Sequence, residues 1–462
     1  MKLDSKRNKV KMKDLTKDDL IDIERWGFWH RSYQSHFFQN FLDVRHVEEV
    51  DFSSHVAPHA EGLSIRFILE EFFKTKKIKV EKIVNIGNDS DYAPRVSNIE
   101  YENGKFRSCL LIGQYMLDIN KEKYLLSVDT LSQGFMDFVF VARKEAKIKA
   151  KDLTTDLTTY ASSHNYLKGK KIDGDLTLID LKRKYGWDDL ILDKYTNKEL
   201  QTNLMNLIDN VEVYEKNNLP LKRGLIISGE PGTGKSLLGK ILCHKTDWTF
   251  IWVTPKNFHD IESVSNIMKT ARMLGPTILF LEDIDLYGKH RDQNALASLL
   301  GELMNQLDGI EDNNYVVTIA TTNNQDALEK ALINRPGRFD KVIRFNSPTN
   351  KCREQMFKTF IGHLRMDADI DMEELIDRTD RLTGAQVKEV VNQAVLQAID
   401  FKSYDENKIL TLKKKHFEIA LNQTRNKDFK AAVGFGLGIN GNGQDNAEVQ
   451  PTYTEPPMET GP

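Results

Sequence analysis

One short segment, GEPGTGKS at Gly229 to Ser236, constrains the fold more than any other part of the 462-residue sequence. It matches the pattern G-x-x-x-x-G-K-[ST], and it lies between the apolar run GLIIS and the run LLGKILCHK, which has the composition of a helix. Its glycines allow several backbone N–H groups to point at one spot, and the start of a helix adds partial positive charge there. The segment therefore predicts a strand, a phosphate-binding loop and a helix, with Lys235 near the β- and γ-phosphates of a nucleotide and Ser236 as a magnesium ligand.

The residues predicted to contact the nucleotide are those of the loop and the one that follows it. They are Gly229, Glu230, Pro231, Gly232, Thr233, Gly234, Lys235, Ser236 and Leu237.

A second motif, TILFLEDID, begins at Thr277 and combines a buried strand with a cluster of carboxylates. In a P-loop ATPase the corresponding strand directs acids at the metal and at the attacking water. Either Glu282 or Asp283 can hold a hydrated magnesium ion, and either can polarise water. Asp285 taken alone is also consistent with an acid that merely marks the end of a strand.

The pattern of apolar runs predicts several domains along the chain. From about residue 185, the runs GLIISG, TFIWV, TILFLED, YVVTIATT and KVIRF alternate with helical segments, which indicates a parallel sheet covered on both faces. Residues 1 to about 75 have a mostly helical pattern, and short strands separated by turn signals over about 80 to 142 indicate a β-rich, at least partly antiparallel part. The predicted boundaries are 1–150 for a mixed α+β N-terminal domain, 151–184 for a polar connector, 185–346 for the α/β core, 347–425 for a helical domain and 426–462 for a flexible acidic tail.

Composition excludes several classes of protein. The chain has 65 basic and 68 acidic residues, which argues against a protein whose main partner is nucleic acid. The cysteines Cys109, Cys243 and Cys352 form no CxxC pair, so a disulfide framework or a zinc ribbon is not expected. No apolar run approaches the roughly 20 residues that span a bilayer, and the charged start lacks the apolar core of a secretory signal. These features favour a cytoplasmic protein with no membrane span.

Five histidines lie in the N-terminal region: His30, His36, His46, His55 and His59. A metal site would need three or four of them to converge, and their spacing matches no usual ligand pattern. We interpret them as core or surface residues.

The motifs together resemble the AAA family of ATPases over roughly Trp187 to Ile399. GEPGTGKS resembles the Walker A loop, ILFLEDIDLYGKHR the Walker B strand with its continuation, and ELMNQLDGI the helix before the fourth core strand. VVTIATTNN places Asn323 at the sensor-1 position, ALINRPGRFDKVIRF contains the arginine-finger pair Arg335 and Arg338, and LTGAQVKEVVNQA brings Gly384 and Ala385 to the nucleotide.

The resemblance implies a P-loop AAA core with a parallel sheet and a helical lid, which binds ATP and Mg²⁺ between core and lid. It implies Glu282 on the metal side, Asp283 as the acid that activates water, and Asn323 as the residue that orients the water or senses the γ-phosphate. Arg335 and Arg338 would reach the site of a neighbouring subunit, which implies a homo-oligomeric ring, with six subunits as the family norm.

Two details are similar to the branch that contains the mitochondrial Rieske-protein translocase. One is the order Glu282-Asp283, where the family norm is Asp-Glu, and the other is the lead-in GWDDLILDKYTNKELQTNL. That branch makes seven subunits an alternative. Its N-terminal membrane helix has no counterpart in this sequence, so its membrane role and its substrate are not carried over.

Three functions remain open from the sequence. The first is ATP hydrolysis coupled to the remodelling or translocation of a protein client, bound by the N-terminal domain directly or through an adaptor. The second is a scaffold that binds ATP to assemble but turns over little, since Asp283 is one methylene shorter than glutamate. The third is a nucleic-acid remodeller, which the near-neutral charge disfavours.

The segment VTPKNFHDIESV contains Phe258 as its only aromatic residue and no glycine, unlike the aromatic pore loop of many AAA unfoldases.

Overall fold

The computed structural model describes residues 40–44, 49–85, 93–131, 134–258, 260–286, 301–307, 313–323 and 339–424. Arg335, Arg338 and the predicted tail at 426–462 lie outside this part of the chain. The structure divides into two compact units, residues 1–352 and residues 353–462.

An antiparallel sheet of six strands forms the N-terminal part of the first unit. Its order is β1-β6-β5-β4-β2, and β3 also pairs with β4. The strands are β1 (Val50–Ala57), β2 (Lys79–Val84), β3 (Arg95–Glu102), β4 (Lys105–Ile119), β5 (Glu122–Thr130) and β6 (Met136–Arg143). The prediction of an antiparallel β-rich part is therefore confirmed, within a mixed α+β arrangement.

The helical prediction for residues 1 to about 75 is wrong for β1. This strand pairs along its whole length with β6, from Val50 opposite Arg143 to Ala57 opposite Met136. Its partner is distant in sequence and almost entirely apolar, so a long-range contact outweighs the local pattern.

Two helices, α1 (His59–Thr75) and α2 (Ala150–Ser163), pack on one face of this sheet. Ile65 and Phe72 of α1 and Leu157 of α2 share one buried cluster with Phe138 and Phe140 of β6. The face opposite is buried in part against Leu42 and Val44.

A parallel sheet in the order β12-β8-β11-β10-β9-β7 forms the rest of the first unit. The strands are β7 (Lys171–Asp173), β8 (Lys222–Ser228), β9 (Thr249–Val253), β10 (Thr277–Leu281), β11 (Val316–Thr322) and β12 (Lys341–Arg344). Separate apolar clusters cover its two faces. Because all these strands are parallel, the residues that follow β8, β10 and β11 meet at one edge of the sheet.

Helices connect these strands and flank the sheet. They are α3 (Lys194–Leu200), α4 (Asn206–Asp209), α5 (Val211–Lys216), α6 (Lys235–Lys245) and α7 (Ile261–Met273), and residues 301–307 are also helical. The region predicted as a polar connector, 151–184, contributes α2 to the N-terminal core and β7 to the edge of the parallel sheet. This region therefore forms part of the N-terminal core and part of the parallel sheet.

The second unit is helical, with one short strand pair. Helix α8 (Asn350–Ile361) enters it and is followed by β13 (Arg365–Met366), α9 (Met372–Arg378), α10 (Gly384–Asp400), β14 (Thr411–Leu412) and a helix over residues 414–424. Arg353 is 2% exposed; its Nε donates to the carbonyl oxygen of Ile376 at 3.2 Å, and an Nη pairs with Asp380 at 3.2 Å. These bonds compensate for the burial of the charge.

Within the described residues, none of the helices combines the length and the apolar character needed to cross a bilayer.

Candidate nucleotide site

The loop from Gly229 to Gly234 follows β8 directly and leads into α6 at Lys235. Gly232 and Gly234 have φ angles of +87° and +107°, which residues other than glycine rarely adopt. A Cβ atom added at Gly229 would lie 2.3 Å from the carbonyl oxygen of Phe345, at the end of β12. The loop therefore requires glycine at these positions, and the cradle that it forms suits a phosphate group approached by main-chain N–H groups.

Lys235 occupies the base of this loop and is 5% exposed. Its Nζ donates to the carbonyl oxygens of Gly229 at 2.7 Å and of Glu230 at 3.0 Å. Burial lowers the pKa of the Lys235 ammonium, and the negative charge of Asp283, then of Asp285 and Glu230, partly offsets that shift. A phosphate could replace neutral carbonyl partners with a charged one, so the lysine is placed to gain from ligand binding.

Glu282 lies one residue beyond the end of β10. Its N–H donates to the carbonyl oxygen of Val253 at 2.8 Å, which extends the pairing with β9. Its carboxylate accepts a hydrogen bond from the indole Nε1 of Trp252 at 2.9 Å, and Trp252 packs against Phe280 with ring centroids 4.9 Å apart. An added Cβ on Gly239 of α6 would meet both rings. Trp252 thus holds Glu282 on the face of the sheet that is covered by α6, the helix that begins with Lys235 and Ser236.

Asp283 adopts a left-handed backbone conformation, with φ of +48°. Its N–H donates to Oγ1 of Thr321 at 2.9 Å, and its Oδ1 accepts from Nδ2 of Asn323 at 3.2 Å. Burial raises the pKa of the Asp283 carboxyl, and the negative charges of Glu282 and Asp285 raise it further, while Lys235 and Asn323 oppose the shift. A carboxylate with a raised pKa is a stronger base than an ordinary aspartate, which suits proton abstraction.

Asp285 connects the ends of β10 and β11. Its Oδ1 accepts hydrogen bonds from the N–H of Asn323 at 3.1 Å and from Oγ1 of Thr322 at 3.0 Å. The sequence allowed Asp285 to be only an acid at a strand end, whereas the structure gives it a positioning contact with the predicted sensor residue.

The structure therefore brings Lys235, Glu282, Asp283 and Asn323 to one edge of the sheet. Ser236, half-buried at the start of α6, belongs to the same edge. The oxygen atoms of Ser236, Glu282 and Asp283 are the type of donor that Mg²⁺ prefers, and Mg²⁺ is usually held by one or two carboxylates together with substrate phosphates. The residues present therefore fit a magnesium nucleotide.

Sequence reasoning missed three contributors. Trp252 holds Glu282, Thr321 holds the Asp283 backbone, and Leu190 approaches the loop, with its Cδ1 2.9 Å from where a Cβ on Gly234 would lie. The threonine and the tryptophan occupy ordinary strand positions, so no motif distinguishes them. Leu190 belongs to the GWDDLIL lead-in, which was the only signal for it.

Four further predicted site residues, Gly384, Ala385, Arg335 and Arg338, stay predictions. Gly384 and Ala385 begin α10 in the second unit, where the Thr383 N–H donates to Oε1 of Gln386 at 2.7 Å and caps the helix. Their approach to the nucleotide stays a prediction, as do the roles of Arg335 and Arg338.

Of the five N-terminal histidines, His55 and His59 belong to the described part of the chain. His30, His36 and His46 lie outside the described residues, and His55 pairs with Glu61 at 2.8 Å. Over the described ranges, no group of three or more His, Cys, Asp and Glu side chains could hold a metal ion on its own.

Comparison with known proteins identifies the core. The model of the ATPase family associated with various cellular activities (AAA) matches residues 225–347. An ATP-dependent zinc metalloprotease FtsH of Mycoplasma mobile is 29% identical over 231 residues, which cover 47% of this chain and 32% of the relative. A cell division cycle protein 48 homolog of Archaeoglobus fulgidus is 29% identical over 262 residues, 52% of this chain and 35% of the relative.

The mitochondrial inner membrane m-AAA protease component yta12 of Schizosaccharomyces pombe is 32% identical over 239 residues, 48% of this chain and 30% of the relative. The chain thus spans about a third of the length of each of these three relatives. The narrower resemblance to the Rieske-translocase branch stays a prediction. The α/β fold with a parallel sheet, the motif order and these matches agree, and the chain carries an ATPase domain of the AAA family at residues 225–347.

Proposed function

We propose that the chain couples ATP hydrolysis to the remodelling or translocation of a protein client, as one subunit of a homo-oligomeric ring. The observation that carries the proposal is the convergence of three separate sequence motifs at one sheet edge. Asp283 interacts electrostatically with Lys235 from the loop and accepts a hydrogen bond from Asn323 at 3.2 Å. The residues proposed to hold phosphates and to activate water are therefore adjacent.

In the proposed mechanism, Lys235 and the loop N–H groups bind the β- and γ-phosphates and stabilise the charge that develops on them. Asp283 accepts a proton from the attacking water, since its pKa is raised and the Asn323 amide fixes its orientation. Glu282 stays on the metal side, held by Trp252. A bound Mg²⁺ ion would neutralise phosphate charge, with Ser236 and Glu282 as its proposed ligands from the chain.

Arg335 and Arg338 are proposed to complete the site of a neighbouring subunit. An arginine supplied in this way stabilises transition-state charge and makes turnover depend on assembly. A ring of six or of seven subunits would satisfy this arrangement.

Client handling is proposed to differ from threading past exposed aromatic residues. Phe258 is 8% exposed and packs in a core cluster with Val253 and Val264. Its burial supports client contacts through other groups, among them the N-terminal domain, which is proposed to bind the client or an adaptor.

The ATP-gated scaffold remains the second candidate, and one observation favours it. The Asp283 carboxylate is short and already hydrogen-bonded to Asn323, while Glu282 is bonded to Trp252. If both acids kept these partners with ATP bound, neither would reach the water, and the chain would bind ATP with little turnover.

Steady-state ATPase rate measured against protein concentration tests the proposal. A cooperative rise with concentration, abolished by Lys235→Ala and by Arg338→Ala, is the expected result. Lys240→Ala on the same helix, α6, is the matched control and should behave as the unsubstituted chain. ATP binding without turnover at every concentration would favour the scaffold instead.

A further inference from the structure

A cavity of about 420 Å³ lies at the edge of the parallel sheet opposite the nucleotide site. Lys222, Arg223 and Gly224 at the start of β8 contribute to its wall, and so does Val316 at the start of β11. The phosphate-binding loop follows the other end of β8, which is seven residues long, or roughly 23 Å at about 3.3 Å per residue. The cavity is therefore separate from the ATP site and joined to it by one strand.

The charged groups of this cavity favour an anion. Lys222 and Arg223 are basic, and Asp340 is the one acid among the described lining residues. Asp340 already accepts a hydrogen bond from the N–H of Gly224 at 2.8 Å, and its Oδ2 forms an ion pair with Nε of Arg223 at 3.9 Å, a distance too long for a hydrogen bond.

Arg223 has hydrogen-bonding capacity to spare. One Nη donates to Oδ1 of Asn203 at 2.9 Å, but the buried Nε has no hydrogen-bond partner in the described structure. The side chain is 34% exposed, so its guanidinium is still accessible from the cavity. Guanidinium groups bind planar carboxylates with two parallel hydrogen bonds, so the Nη donors of Arg223 that Asn203 leaves unused fit a carboxylate better than a neutral ligand.

The remaining wall is apolar. Leu207, Tyr214, Leu219 and Pro220 line it, and Leu219 is 48% exposed. Sites for small organic molecules typically have volumes of about 300 to 1,000 Å³ and apolar walls with a few fixed polar groups. The cavity matches that description in size and in the arrangement of its charges.

We propose that this cavity binds a small organic acid, with the carboxylate on Arg223 and an apolar body against Leu207, Tyr214 and Leu219. The site requires neither ATP nor a ring, so it stands apart from the function proposed above.

Titration of the 462-residue chain with phenylbutyrate, measured by isothermal calorimetry, tests this site. Phenylbutanol serves as the neutral ligand of similar shape. The expected result is saturable binding of the acid, with at least about 10-fold weaker binding of the alcohol, which corresponds to the lower end of the range for a hydrogen bond to a charged group. Equal binding of acid and alcohol would overturn the proposal, and so would no saturable binding of the acid.

Two variants place the binding in this cavity. Arg223→Gln should weaken phenylbutyrate binding about 10-fold or more through loss of the charged partner. Thr202→Trp places a large side chain at an exposed lining position, keeps Arg223 and should block entry. Lys216→Gln, with an exposed lysine on the nearby α5, is the control and should bind normally. Full binding by the Thr202→Trp chain would overturn the proposal, since the cavity would then not be the site. Loss of binding as subunits assemble would also overturn it, since a second copy would then cover the cavity.

Discussion

The carboxyl edge of the parallel sheet and the interior of the N-terminal sheet both bury charged groups, but they stabilise them differently. Arg66 of α1 is 5% exposed, and its guanidinium donates to the carbonyl oxygens of Leu110 and Cys109 and to the Ser97 hydroxyl. At the sheet edge, Asp283 has two carboxylates as neighbours, and the hydrogen-bond partners of the Lys235 ammonium among the described residues are carbonyl oxygens. The N-terminal domain satisfies its buried charge within the fold, whereas the nucleotide site keeps charges that a ligand could satisfy better. Substitutions of these charged groups should therefore affect stability in the first region and turnover in the second.

Gly229→Ala should have the largest combined effect. The added Cβ would lie 2.3 Å from the Phe345 carbonyl oxygen, so β8 and β12 must separate. We expect a loss of about 2–3 kcal/mol in the free energy of unfolding, as for overpacked sites, together with at least a 10-fold loss of ATP affinity. Denaturant unfolding and nucleotide titration measure the two effects.

Gly301→Ala is the control, because a Cβ there meets nothing within 4 Å. Alanine in that helical position should be neutral or stabilise the chain by up to about 1 kcal/mol. Equal behaviour of the two variants would contradict the close approach at Gly229.

Arg66→Leu should cost about 3 kcal/mol of stability, because it leaves buried acceptors in β3 and β4 without their donor. Turnover per folded molecule should not change. Lys76→Met removes an exposed ion pair with Asp156 near the end of the same helix and should cost under about 1 kcal/mol. A fall in turnover of the folded Arg66→Leu chain would remove the contrast between the two regions.

The sequence predicts the two regions unequally for a physical reason. The loop, Glu282, Asp283 and Asn323 follow strands whose residues are local in sequence, and parallel strands place these ends together whatever the rest of the fold does. By contrast, β1 depends on pairing with β6 across some 80 residues, and β7 joins β9 from within an apparently polar connector. Asp285 and Trp252 gain their roles only from side-chain contacts between neighbouring strands, which a single sequence does not specify.

Trp252→Phe should have a smaller effect that is confined to catalysis. Phenylalanine keeps an aromatic ring beside Phe280 but removes the N–H that donates to Glu282 at 2.9 Å. We expect turnover to fall about 10-fold, since one neutral donor to a charged group contributes on the order of 1.5 kcal/mol. Trp248→Phe is the control, because Trp248 directly precedes the same strand and Glu282 accepts from Trp252 instead. An equal fall in turnover for both variants would argue against this positioning role.

His416 should give the smallest effect, limited to the second unit. Burial lowers the pKa of its imidazole, and Lys415 and Lys413 lower it further. Its Nδ1 accepts from the N–H of Lys413 at 3.1 Å, which only the unprotonated nitrogen can do. At this site the folded state therefore binds fewer protons than the unfolded chain. The stabilisation that the neutral imidazole supplies should be fully present above about pH 6.5 and should be lost as the pH falls below that value, toward the lower pKa of the folded state.

Hydrogen exchange of residues 414–424 measures this pH effect. Faster exchange below about pH 6.5, beyond the intrinsic rate, is expected. His363→Gln, at an exposed position in the same unit, should leave the pH dependence in place. Exchange protection that is independent of pH would contradict the assignment to His416.

Asp283 is proposed to activate water in spite of its short side chain and the reversed order of the two acids. ATP turnover and ATP affinity, measured on one preparation of the Asp283→Asn chain, test it most directly, with Asp129→Asn as the control because burial also raises the pKa of that carboxyl in the N-terminal sheet. Asp283→Asn should lower turnover at least about 100-fold, the usual contribution of a general base, while ATP still binds and the control remains fully active. Turnover within a few-fold of the unsubstituted chain, or a loss of ATP binding as large as the loss of turnover, would contradict it.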